Sequence, residues 1–108
     1  MTEWGVSRVT FSTPSSAAEW LNYGVELLPK DPDRIAVRIR IAAGSLPVRV
    51  SSSLDALKSG NYEELEGGDQ YFDDSDADYP VWVNGSKAGA TFTLVVMVKC
   101  REGKSGGV

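Results

Sequence analysis

The chain has 108 residues, of which 42% are hydrophobic and 24% charged, with eleven basic and fifteen acidic side chains for a net charge of −4. A domain of this size buries roughly two thirds of the surface its unfolded chain exposes, so it folds without staples, and its composition excludes collagen-like and disordered classes. With no histidine and one cysteine, it cannot build an internal disulfide, a Ser-His or Cys-His nucleophile pair, or a histidine-ligated metal centre.

In chain order, residues 6–12 (VSRVTFS) are rich in β-branched side chains and read as a first strand, with Trp4 tucked under an edge. Ser16 and Glu19 have the spacing of a capping box, which predicts one or two helical turns over residues 17–21, stopped by Asn22 and Gly24. Residues 25–28 are extended. Pro29, Asp31, Pro32 and Asp33 then supply a rigid turn, because proline fixes φ and pushes its predecessor out of the helical region.

Residues 34–42 set Ile35, Val37, Ile39 and Ile41 against Ala36, Arg38, Arg40 and Ala42, the period-two pattern of a central strand with one buried face. Ala43, Gly44 and Ser45 read as a hairpin into PVRV, with Val48 and Val50 inward and Arg49 outward. On that reading Arg38, Arg40 and Arg49 share one outward face. Ser53 caps a short helix, with Asp55 near its positive end, Lys58 near its negative end and Gly60 as the stop.

Gly67-Gly68 suits a tight hairpin between residues 62–66 and 69–73. Pro80 opens another strand over residues 81–84, with Trp82 opposite Val81 and Val83, and Asn84-Gly85 is expected to turn it. Residues 90–100 (ATFTLVVMVKC) form the longest apolar run, with both faces apolar, and belong at the centre of a sheet. The expected core is Ile35, Val37, Ile39, Val48, Phe92, Leu94 and Val96.

Seven or eight short strands with turns between them predict an all-β fold: a small antiparallel β-sandwich, jelly-roll or immunoglobulin-like, with one or two short helical turns. Residues 1–100 are expected to form the single domain, and residues 101–108 (REGKSGGV) a flexible tail. No stretch approaches about eighteen apolar residues, and TEWGVS after Met1 lacks the charged and apolar regions of a signal peptide, so neither a membrane span nor classical secretion is expected. The acidic balance argues against general nucleic-acid binding, which needs a basic face.

Chemistry is mostly excluded. No phosphate-binding glycine motif occurs. Glu63 and Glu64 fall on opposite faces of a strand, which does not suit a glycosidase pair. Cys100, closing an apolar strand, reads as a small half-buried side chain rather than a nucleophile. Asp74, Asp76 and Asp78 begin a calcium-loop pattern, but Tyr79 stands where that loop needs glycine and Gly85 where it needs glutamate, so no metal, cofactor or catalytic residue is expected. Asn84-Gly85-Ser86 fits a glycosylation acceptor as well as a turn. Trp4, Trp20, Tyr71, Tyr79 and Trp82 suit either a sugar-stacking platform or core and interface anchors.

Charge is unevenly placed. No basic residue lies between Ser59 and Ser86, while Glu63, Glu64, Glu66, Asp69, Asp73, Asp74, Asp76 and Asp78 supply eight of the fifteen acids. Candidate interface residues are therefore Arg38, Arg40 and Arg49, with Asp73, Asp74, Asp76 and Asp78 as their complement and Trp82 as an apolar anchor.

The order LLPKDPDRIAVRIRI, PVRVSSS, YEELEGGDQYF and YPVWVNGSKAGATFTLVVMV resembles small β-sandwich virion proteins of tailed bacteriophages, over residues 25–98. The likeness lies in a leucine-proline turn leading an alternating strand, a following PV-x-V strand, a Gly-Asp segment ending in an aromatic residue, and an aliphatic final hairpin. The helix-like residues 54–60 and the acidic loop depart from that pattern. The resemblance implies a non-enzymatic virion structural protein, made in the host cytoplasm: a capsid decoration or cement protein. Its partners would be phage capsid or other virion proteins, and the chain would act as a homo-oligomer, with a trimer favoured. A tail, neck or fibre adaptor and a small carbohydrate-binding β-sandwich module are the alternatives.

Overall fold

The computed structural model describes residues 4–68, 70–73 and 78–101, residues 70–73 by their backbone alone. Eight strands and two helices follow one another: β1 (Trp4–Ser12), α1 (Ala17–Leu21), β2 (Val25–Leu28), β3 (Arg34–Ile41), β4 (Val48–Ser51), α2 (Leu54–Ser59), β5 (Glu63–Leu65), β6 (Gln70–Asp73), β7 (Val81–Gly85) and β8 (Thr91–Cys100). They form two four-stranded sheets, ordered β1-β8-β3-β6 and β2-β7-β4-β5. All neighbouring strands run antiparallel.

This order is that of a jelly roll, which decides between the two topologies the sequence left open. Of the connections between consecutive strands, β4 to β5, through α2, stays within a sheet, and the other six cross between sheets. Two expected hairpins are therefore crossings. The turn after β3 carries the chain to β4 in the opposite sheet, and Gly67-Gly68 carries β5 across to β6. Gly68 has φ 89° and its N–H donates to the Ile41 carbonyl at 2.9 Å, so the glycine pair packs beside the other crossing.

The inner faces supply the core. Val37, Ile39, Ile41, Phe92, Leu94, Val96 and Val98 from one sheet meet Leu28, Val48, Val50, Val81 and Val83 from the other. Phe92 stacks on Phe11 with ring centroids 5.3 Å apart. Six of the seven expected core residues are in place, but Ile35 is 38% exposed. The register with β8 shifts between Arg34 and Ala36, and this irregularity turns Ile35 out while Arg34 and Ala36 are both buried.

The expected turn at Asn84-Gly85 is a second correction. Both residues belong to β7 and are buried, and the chain turns afterwards, where Gly89 has φ 66°. Gly85 is glycine because a Cβ there would overlap the Phe92 ring. Asn84 donates from Nδ2 to the Trp20 carbonyl at 3.0 Å and accepts from the Gly85 N–H at 2.8 Å. Those bonds hold the amide inside the fold rather than presenting it as a glycosylation acceptor.

The helices are capped as their sequences predict. Ser16 Oγ accepts from the Glu19 N–H at 3.4 Å, and Ser53 Oγ accepts from the Ala56 N–H at 3.1 Å. Gly60 ends α2 with φ 89°.

Candidate functional site

The two outer faces of the sandwich differ in what covers them. On the β2-β7-β4-β5 sheet, cross-strand partners place Glu26, Trp82, Asn84, Arg49, Ser51 and Glu64 on the outer side. Both helices lie over this side. Leu54 and Leu57 of α2 converge with Trp82 on Gly24, where a side chain would collide with Leu54. Trp20 of α1 donates its indole N–H to the Gly85 carbonyl at 2.8 Å. The Arg49 guanidinium lies between the rings of Trp20, at 5.0 Å, and Tyr62, at 4.7 Å, and its Nε is 3.3 Å from Glu64 Oε2. Arg49 and Trp82 are thus half-buried inside a second layer of packing.

On the β1-β8-β3-β6 sheet the outward positions of the three longest strands are Trp4, Val6, Arg8, Thr10 and Ser12 on β1; Thr91, Thr93, Val95, Met97 and Lys99 on β8; and Ile35, Arg38 and Arg40 on β3. Neither helix makes one of the fold's principal contacts with these strands. Val6 is 63% exposed. Trp4 is half-buried, with the Arg38 guanidinium 5.0 Å and the Lys99 ammonium 5.7 Å from its ring centroid. Val6, Val95 and Met97 form an apolar strip flanked by Arg8, Arg38, Arg40 and Lys99. None of these outward positions on β1, β8 and β3 is acidic. At one side of this sheet, β1 leaves a nine-residue edge whose other side is paired to β8 throughout.

The expected three-arginine face is therefore divided. Arg38 and Arg40 stand on one outer face and Arg49 on the opposite one, because the β3–β4 connection crosses between sheets. Trp82 sits under α2 rather than at an open surface. Asp78 is half-buried, and its carbonyl accepts from the Asp31 N–H at 2.9 Å. Asp73 contributes backbone to β6, while its side chain, with Asp74, Asp76 and the side chain of Tyr71, lies outside the described residues.

Sequence reasoning missed Arg34. It is 4% exposed at the end of the sandwich, donating from Nη1 to the Pro29 carbonyl at 3.0 Å and from Nη2 to the Tyr79 carbonyl at 2.6 Å. Desolvation lowers its pKa, opposed by the nearby Asp31 and Asp78 charges. The signal was an arginine directly after a Pro-Asp turn, where a side chain can reach back to the turn's carbonyl groups. Cys100 is paired with Arg34 across the sheet and is 3% exposed, and burial pushes its thiol pKa up. That shift works against a nucleophilic role. Among the described residues, no three His, Cys, Asp or Glu side chains gather as a metal site.

Comparison with known proteins found no matching family model, no matching curated protein and no matching solved structure.

Proposed function

We propose that this chain is a non-enzymatic structural protein of a tailed-phage virion, a capsid decoration protein that docks through the outer face of its β1-β8-β3-β6 sheet. The observation that carries the reading is the asymmetry of cover: the opposite face is overlaid by two helices, while this one presents exposed Val6 and half-buried Val95 and Met97 flanked by four cations. Exposed apolar surface rimmed by charge is the composition of a protein-docking surface. The jelly-roll strand order agrees by analogy, since viral capsid domains share it with lectins and cupins.

Docking adds contacts at a junction of capsid subunits, with the apolar strip supplying affinity and the cations selecting an acidic partner surface and its register. A small adaptor at a symmetric junction matches that symmetry, so the chain acts as a cyclic oligomer, a trimer in the favoured form. The nine-residue β1 edge is long enough for a partner strand to pair with.

Quantitative mass spectrometry of purified particles tests the reading. A copy number matching one class of symmetric site on the head supports it, and absence from particles overturns it. Antibody labelling on the tail alone would move the protein to an adaptor role.

A further inference from the structure

At the Arg34 end of the sandwich, a groove of about 710 Å³ opens between the start of β5 and the segment leading into β7. Tyr62 and Tyr79 line it from separate segments, and Val50, Asn61, Glu63 and Asp78 complete most of its surface. Val50 pairs with Glu63 across β4 and β5, so the two share a face. Val50 is 3% exposed and reaches the core, whereas Glu63, on the last strand of its sheet, stands exposed. The bland account of Glu63 is an edge-strand charge that discourages pairing with another chain. That account does not explain why two tyrosines and an asparagine converge beside it.

The walls are held in place before any ligand arrives. Arg34 Nη2 fixes the Tyr79 carbonyl at 2.6 Å, and the Asp31 N–H fixes the Asp78 carbonyl at 2.9 Å. Ser51 Oγ donates to the Asn61 carbonyl at 2.7 Å. The Arg49 guanidinium packs against the Tyr62 ring at 4.7 Å. Such preorganisation lowers the ordering cost of binding.

The lining selects the ligand by charge. Among the described residues no lysine or arginine lines the groove, so an anion finds no described cationic partner there. A cation gains less from Asp78 than from a bare carboxylate, because that charge already faces the buried Arg34 guanidinium. What remains is a neutral ligand with apolar C–H surface for the tyrosines and hydroxyls for the carboxylates, the asparagine and the serines. We infer that this groove is a binding site for a neutral saccharide, stacked on Tyr62 and Tyr79 and hydrogen-bonded by Asp78, Glu63 and Asn61. The site lies apart from the docking face and does not depend on the virion reading.

The test applies the purified full chain to a printed array of neutral oligosaccharides, with hexalysine and a heparin hexasaccharide as charged probes. At least one neutral oligosaccharide is bound and neither charged probe is. Tyr62→Ala and Tyr79→Ala each weaken that binding by about tenfold or more, as the loss of a packed aromatic anchor does. Asp78→Asn, whose backbone contact with Asp31 is kept, also weakens it, read on protein that circular dichroism shows to be folded, because the lost charge also removes an attraction to Arg34. Silence across the neutral array, preference for hexalysine or heparin, or saccharide binding that survives all three substitutions overturns the assignment.

Discussion

Trp82 and Arg49, on the outside of the β2-β7-β4-β5 sheet, lie beneath two short helices, whereas Val6, Val95 and Met97, on the outside of the β1-β8-β3-β6 sheet, lie beneath neither. Helices of five and six residues are too short to persist alone in water, so α1 and α2 exist because the sheet beneath them offers Trp82, Arg49 and the Gly24 notch to pack on. One face thus spends its side chains on the stability of this chain. The other holds apolar and cationic groups that neither helix covers, and it is the face proposed above to dock. Substitutions on the two faces should separate accordingly, one class reading out in unfolding and the other in assembly.

Between the faces lies the core they share, where the largest loss is expected. Ile39 is fully buried, and Ile39→Ala should destabilise the fold by about 2 to 5 kcal/mol in urea unfolding. A loss below about half a kcal/mol would contradict the inward assignment of β3. On the covered face, Trp82→Ala should cost about 2 to 3 kcal/mol, less than a fully buried tryptophan because the ring is half-exposed. Arg49→Met keeps much of the packing and loses the ring contacts, for about 1 kcal/mol.

On the face that neither helix covers, Arg38→Glu combined with Arg40→Glu should change stability by less than about 1 kcal/mol, the size of a cation–π contact, while, under the proposed docking, abolishing assembly onto particles. Raised salt should slow docking of the unaltered chain. Full particle occupancy by the double variant at low and high salt would remove electrostatic selection from the account.

The smallest effect concerns Cys100, whose thiol pKa is raised by burial in the folded state. The stability this adds is whole below the pH at which an unfolded thiol ionises, and it is lost as pH rises through the folded value. Cys100→Ala should therefore flatten the alkaline limb of the stability profile, and the native thiol should react with a thiol reagent far more slowly than the unfolded one.

Much of the fold was legible because strand alternation and helix caps are local. The inward sets of β4 and β8, and Val37, Ile39 and Ile41 of β3, followed from period two, and both helices followed from Ser16 and Ser53. Ile35 failed because an irregularity in pairing leaves no trace in hydrophobic period. The choice of sheet was illegible for a related reason. Ala43-Gly44-Ser45 and Gly67-Gly68 have the chemistry of hairpin turns, yet both serve as crossings, and a turn sequence fixes backbone angles without naming the strand that will pair. That single uncertainty sent Arg49 to the wrong face.

The sites were less legible still. Of the aromatic platform suggested by Trp4, Trp20, Tyr71, Tyr79 and Trp82, the four members whose side chains are described are scattered over both faces and one end, and the tyrosine that joins Tyr79 in the groove, Tyr62, was not among the candidates. Its signal lay in three dimensions, in the meeting of β5 with a segment well downstream.

The most direct measurement of the docking claim is hydroxyl-radical footprinting of the free chain against the chain assembled on particles. Trp4, Val6 and Met97 should become protected on assembly, while Trp20 and Trp82, already covered by the chain's own fold, should keep their free-chain rates. Unchanged oxidation at Trp4, Val6 and Met97, with protection appearing over α1 and α2 instead, would contradict the account.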